Sequence, residues 1–315
     1  MLWPLREFAR RAAPAWRDTR LGLIELMPLR QMSAAFEVLA LARLTHKRPG
    51  FRIDTVEHGG RTIAMHEEPA AVTPFCTLLH FRKGMEHPGP AVLIVAPMSG
   101  HFATLLRETA RTMPQDHDVY ITDWHNARDV PLREGRFGLD EYTKHLMRFL
   151  EVIGPGSHLM AICQPSVPAL AATALMAEDR NPATPASLTL MAGPVDCRIS
   201  PTAINLLATS KPIEWFAQSL VSPVPLQCKG AGREVYPGFL QLTAFLNMNL
   251  ERHTDMFRQY FDDLVEGNTD CAQSTRKFYK EYFAVADLPA EFDPGYAPRV
   301  RSPSPTSGEG WEGGG

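Results

Sequence analysis

A cysteine stands in the stretch Leu159-Met160-Ala161-Ile162-Cys163-Gln164-Pro165-Ser166. Before it lies 157–162, which reads as a buried strand; after it lies 167–178, rich in Ala, Leu and Met, that reads as a helix. A nucleophile lifted on such a strand-to-helix turn usually carries the pattern G-x-S-x-G. Here Cys163 takes the Ser position, Ala161 the first Gly position and Pro165 the second. Ala is small enough for a tight turn, and Pro, with φ fixed near the helical value, suits a first helical turn. The turn would raise the thiol to the C-terminal edge of a sheet, where a helix N-terminus favours the thiolate. The Gln164 N–H would form half of an oxyanion hole. The plain alternative is a Cys163 that merely fills space, a common role for a free cysteine.

Other groups could serve the same chemistry. Pro97-Met98-Ser99-Gly100-His101 directly follows the apolar run 91–96. A loop in that position can give the second oxyanion donor, here the N–H of Met98 or of Ser99. The alternative is an ordinary strand-to-helix turn built on Ser and Gly. His101 and His125 are candidate bases, and Asp123 and Asp196 candidate acids, because each closes or follows a run that reads as a strand. For His125 and Asp123, in Asp123-Trp124-His125-Asn126, loop-stabilising hydrogen bonds are the simpler reading.

These residues need a scaffold that brings strand ends together. A continuous apolar run at 91–96 and further segments that read as strands at 119–122, 157–162 and 188–191 alternate with helical patterns at 104–113, 139–152 and 167–178. Strands separated by helices imply parallel crossovers, hence an α/β doubly wound, mostly parallel sheet. Leu146, Phe149 and Leu150 mark one face of the helix at 139–152. Residues 51–53 and 61–65 flank Gly59-Gly60 like a hairpin, and 75–81 is a further apolar run. The chain divides into a helical N-terminal region at 1–50, an α/β core at 51–198, a helical cap at 199–292 and a tail at 293–315. The cap, with no clear buried strand between 200 and 288, has a separate helical domain as its alternative. The Pro-, Ser- and Gly-rich tail cannot bury enough apolar surface to offset its ordering entropy and is expected to be disordered.

Composition narrows the functions. A hydrophobic fraction of 44% over 315 residues suits a folded enzyme-sized domain, and a net charge of -3 points away from nucleic acid. Cys76, Cys163, Cys197, Cys228 and Cys271 are an odd, dispersed set, expected as free thiols in a reducing compartment. No Cys/His group has metal spacing, so no metal or other cofactor is expected. The N-terminus carries Arg6, Arg10, Arg11 and Arg17 in place of a leader's apolar core. The apolar stretch 159–177 is broken by Gln164, Pro165, Ser166 and Pro168, so no transmembrane segment is expected and the expected location is the cytoplasm.

A resemblance then becomes specific. Pro74-Phe75-Cys76-Thr77-Leu78-Leu79-His80-Phe81, Val95-Ala96-Pro97-Met98-Ser99-Gly100-His101-Phe102-Ala103-Thr104-Leu105-Leu106-Arg107 and Asp118-Val119-Tyr120-Ile121-Thr122-Asp123-Trp124 resemble intracellular polyhydroxyalkanoate (polyhydroxybutyrate) depolymerases. So do Ile162-Cys163-Gln164-Pro165-Ser166-Val167-Pro168 and Tyr279-Lys280-Glu281-Tyr282-Phe283-Ala284-Val285, within a likeness covering about residues 20–292. The resemblance implies an α/β-hydrolase whose Cys-His-Asp triad hydrolyses or thiolyses the polyester of storage granules, with Cys163 as nucleophile. Its partner would be the polymer or granule surface, with water or coenzyme A as acyl acceptor.

The same resemblance marks a departure. Such depolymerases continue with two more strands that carry the triad Asp and a Gly-His pair. Here no His follows Phe292, and the last is His253. The expectation is a reading frame truncated or frameshifted at its C-terminus, lacking the fold's last strands and impaired in activity. A natural variant with a disordered tail is the alternative. Two other functions remain open. A polyhydroxyalkanoate synthase-like acyltransferase also uses Cys on this fold, though its box has Gly where Ala161 and Pro165 stand. A non-catalytic granule-surface binder would use Leu2, Trp3, Leu5 and Phe8 beside Arg6, Arg10 and Arg11.

Overall fold

The computed structural model describes residues 27–292 except 87, 194, 197, 200 and 202. The apolar and basic N-terminal stretch and the expected disordered tail at 293–315 lie outside the described residues. Strands β1 (Thr55–His58), β2 (Arg61–Val72), β3 (Cys76–Lys83), β4 (Ala91–Val95), β5 (Asp118–Trp124), β6 (His158–Ile162) and β7 (Ser187–Met191) form one sheet, in the order β1-β2-β3-β5-β4-β6-β7. The pairs β5/β4, β4/β6 and β6/β7 are parallel, whereas β1/β2, β2/β3 and β3/β5 are antiparallel. Only β1 and β3 therefore run against the rest. This mostly parallel sheet, with helices in its crossovers, is the expected α/β-hydrolase class.

Burial explains the order. Val92, Leu93, Ile94 and Val95 of β4 are all buried, which requires cover on both faces and a place inside the sheet. The cover includes α2 (Arg107–Thr112), α3 (Leu139–Ile153) and α4 (Ser166–Glu178), which follow α1 (Met27–Leu41) in the chain. Leu146, Phe149 and Leu150 of α3 are fully buried, as the periodicity predicts, and so is Tyr142. The expected helix at 104–113 is instead a 3-10 turn (Ala103–Leu106), the short α2 and a second 3-10 turn (Met113–Gln115).

The hairpin sits one segment later than its expected first strand. His58 pairs with Arg61 across Gly59 and Gly60, whose φ values of 55° and 75° fit a tight two-residue turn. Phe51 and Ile53 lie in irregular chain and are buried in the core; an apolar run was read as a strand when its burial comes from a loop.

Beyond β7 come α5 (Ala203–Ser210), α6 (Ile213–Leu220), α7 (Gly238–Met248), α8 (Leu250–Glu266) and α9 (Thr269–Tyr282). A small antiparallel sheet joins them, ordered β10 (Leu288–Pro289), β9 (Glu234–Tyr236), β8 (Ser222–Pro223). No strand was expected there, because two or three residues show no alternation. Leu41 of α1 shares a second apolar core with Leu242, Tyr260, Ala272, Tyr279 and Phe283, so α1 packs with the helices that follow β7. After Leu41 the chain is irregular, and Thr45 is bonded to the strip that follows α9. No helix among the described residues is long and apolar enough to cross a membrane.

Candidate active site

Cys163 occupies the single turn between β6 and α4, with φ at +68°. A non-glycine residue in that region costs about 1–3 kcal/mol and persists only where its surroundings enforce it. The enforcement is visible. The Cys163 N–H donates to Met191 O at 2.7 Å. Its carbonyl accepts from Ser166 N at 3.1 Å and from Ser166 Oγ at 2.8 Å. Ser166 is fully buried, and Pro165, with φ −61°, leads into the helix. The thiol is exposed.

The chain after β7 forms the floor of this turn. A Cβ placed on Gly193 would lie 1.8 Å from Ser166 Oγ and 2.9 Å from the Cys163 carbonyl oxygen, so only glycine fits. Gly193 lies outside the cysteine's own segment, so the motif around Cys163 does not reveal it. Its signal is a glycine just past a strand at the same sheet edge.

The loop after β4 meets the turn from the other side. Met98 N–H donates to Gln164 Oε1 at 3.2 Å. The base of this loop is fixed: Ala96 O accepts from Trp124 Nε1 at 2.9 Å, and Ala96 N–H donates to Thr122 Oγ1 at 2.9 Å. Ser99 is half-buried. Gly100, with φ +83°, has Gln241 of α7 where a Cβ would point, and its carbonyl accepts from Ala286 N at 2.9 Å. Cys163, Gln164 and Met98 are thus brought together.

The other candidates are engaged elsewhere. His101 is buried, its ring 5.1 Å from that of Tyr282 and 5.6 Å from that of Phe245, with Nε2 lacking any partner. Burial lowers its pKa, against the backbone of Ser99 and Tyr282, which raises it. His125 donates from Nδ1 to Pro74 O at 3.0 Å, which leaves Nε2 to accept from Thr77 Oγ1 at 2.8 Å. Asp123 is buried against Arg48, Oδ2 to Nε 2.6 Å. Asp196 takes a two-pronged contact from Arg198, at 2.9 and 2.8 Å, which with the Arg198 backbone N–H lowers its pKa. Among the described residues none of these four side chains bonds to the Cys163 thiol, and no group of His, Cys, Asp and Glu could hold a metal ion.

A search among curated proteins returned no match. Among solved structures, that of a membrane phospholipase A, described as a novel bacterial virulence factor, is similar at 14% identity over 85% of this chain and 76% of that one, with a TM-score of 0.32. An overlap so low carries no weight for the fold, which rests on the strand order. Residues 192–297 match the family described as PHB de-polymerase C-terminus. They begin at the floor of the Cys163 turn, take in α5 to α9 and end just past Phe292, and this match supports assigning the chain to the PHB depolymerase family.

Proposed function

We propose that the chain is a polyhydroxyalkanoate depolymerase by descent, with Cys163 as the nucleophile that attacks the polyester carbonyl. One observation carries the reading: an exposed thiol on a positive-φ turn between a parallel strand and a helix. A general acid or base makes such chemistry turn over. Attack gives a tetrahedral oxyanion, with Gln164 N–H as a donor. Collapse leaves an acyl thioester and an alkoxide that needs a proton, and water must then be deprotonated to release the acyl group. Of the histidines nearest this edge in the sequence pattern, His101 is buried against Tyr282 and Phe245 and His125 is bonded to Pro74 and Thr77. The proposal therefore includes slow turnover.

The test is incubation of the purified chain with amorphous polyhydroxybutyrate granules, with Cys163→Ala as the blank. The expected result is a thioester on Cys163, seen by mass spectrometry, with little release of product. No acylation of Cys163 overturns the nucleophile. Rapid release that vanishes in Cys163→Ala overturns the slow turnover and directs the search for a base to His101→Ala and His125→Ala.

A further inference from the structure

The bond between Met98 and Gln164 assigns the two ends of a side chain. Met98 N–H can only donate, so the atom facing it must be the carboxamide oxygen, and the NH2 group is the opposite end. Three consequences follow from chemistry alone. The Met98 N–H, an expected oxyanion donor, is already satisfied. The Gln164 carboxamide is held through its oxygen, on the residue that follows the exposed Cys163. And an amide whose C=O accepts a hydrogen bond becomes a stronger N–H donor, because the two polarise together. Among the described residues Nε2 of Gln164 has no acceptor of its own.

We propose that the Gln164 side chain serves as the second oxyanion donor: Oε1 is anchored by Met98, and Nε2 donates to the ester carbonyl that Cys163 attacks. This rests on Cys163 being the nucleophile. A carboxamide does this work in other oxyanion holes, where losing one donor costs about 100- to 1,000-fold in rate. The loop after β4 then acts through Gln164, as an anchor for the donor.

The test compares two reactions of the same thiol. With p-nitrophenyl butyrate the thiolate forms an S–C bond to the carbonyl carbon and the carbonyl π pair moves to oxygen. That pair returns as the bond to p-nitrophenolate breaks, and the leaving anion needs no proton. With iodoacetamide the thiolate displaces iodide and no oxyanion forms. The ratio of acylation to alkylation rates therefore isolates oxyanion stabilisation and cancels changes in thiol reactivity. Gln164→Glu keeps the acceptor for Met98 and removes the donor; Gln164→Met, similar in shape, removes both. The ratio is expected to fall about 100-fold in each. An unchanged ratio in Gln164→Glu with a fall in Gln164→Met shows that only the anchor matters and overturns the donor. A rise in either shows that the carboxamide blocks the site, and overturns it also. A wild-type chain that is alkylated but never acylated at Cys163 fails the nucleophile reading instead.

Discussion

Cys163 and Met191 are joined by a 2.7 Å hydrogen bond from the amide of one to the carbonyl of the other. Met191 is the last residue of β7, so the turn that lifts the thiol is held by the end of the neighbouring strand as well as by its own helix. Two residues on, Gly193 packs against Ser166, the residue that closes the same turn.

Gly193→Ala should therefore unseat the turn. The new methyl has no space beside Ser166 Oγ, and overpacking of this kind costs about 2 kcal/mol. A lower denaturant midpoint and altered alkylation of Cys163 are expected. Unchanged values for both would show that the chain after β7 does not support the turn.

The cysteines should differ sharply in reactivity. Cys163 and Cys271 are exposed and Cys228 is half-buried. Cys76 is fully buried, and burial, with Asp123 adding to it, pushes its thiol well above the ordinary value. Timed alkylation followed by mass spectrometry should label Cys163 and Cys271 first and leave Cys76 unmodified until the protein unfolds. Early labelling of Cys76 would contradict the packing of β3.

Acid should weaken the fold through the buried His101 and the half-buried His145. Burial is the largest influence on His101 and His145 and holds both below the ordinary histidine value of 6.5. The unfolded chain thus binds protons that the folded chain does not. Their contribution is present above about pH 6.5 and is lost as pH falls from there through the lowered values. Urea midpoints taken from pH 7.5 to 5 should decline, and His101→Phe should flatten the decline. A midpoint that rises on acidification would show these rings charged in the fold.

Arg233 should be hard to replace. It is 2% exposed and donates to Val130 O at 3.0 Å, Gly135 O at 2.9 Å and Pro131 O at 2.7 Å. Arg233→Met leaves Val130 O and Gly135 O without a partner, while Pro131 O keeps Glu134 N, a loss of about 2–4 kcal/mol. Thermal melting should show it; an unchanged melting temperature would mean that water replaces the guanidinium at no cost.

Much of the sheet was legible because β4 and β5 are largely buried runs between helical patterns, and β6 and β7, though only partly buried, keep the same strand-helix alternation. Phe51 and Ile53 misled, since buried loop residues have strand-like composition. The β8–β10 sheet was invisible because its strands are too short for any period. At the site, Cys163, Gln164 and Met98 were legible from adjacency to strand ends. Ser166 stood inside the cysteine's motif with no role assigned to it. Gly193 owes its role to a contact between distant segments, which no local pattern encodes. The partners of His101 and His125 were equally hidden: Tyr282 lies in the cap, and Pro74 leads into another strand.

The strip Phe283–Asp287 has a consequence for how the molecule is made. Ala286 bonds to Gly100, Val285 and Phe283 bond to Thr45, and Asp287 reaches Arg128 at 2.8 Å and Gly238 N at 3.0 Å. During synthesis the loop that carries Met98 leaves the ribosome long before this strip does. Chains fold from the N-terminus as they emerge, but a contact cannot form before both of its sides exist. The nascent sheet must therefore wait with the Gly100 side of that loop unsecured until α9 is out. A ribosome-bound chain stalled before Phe283 should offer residues 97–102 to proteases, and one stalled far enough past Asp287 to free the strip from the exit tunnel should hide them.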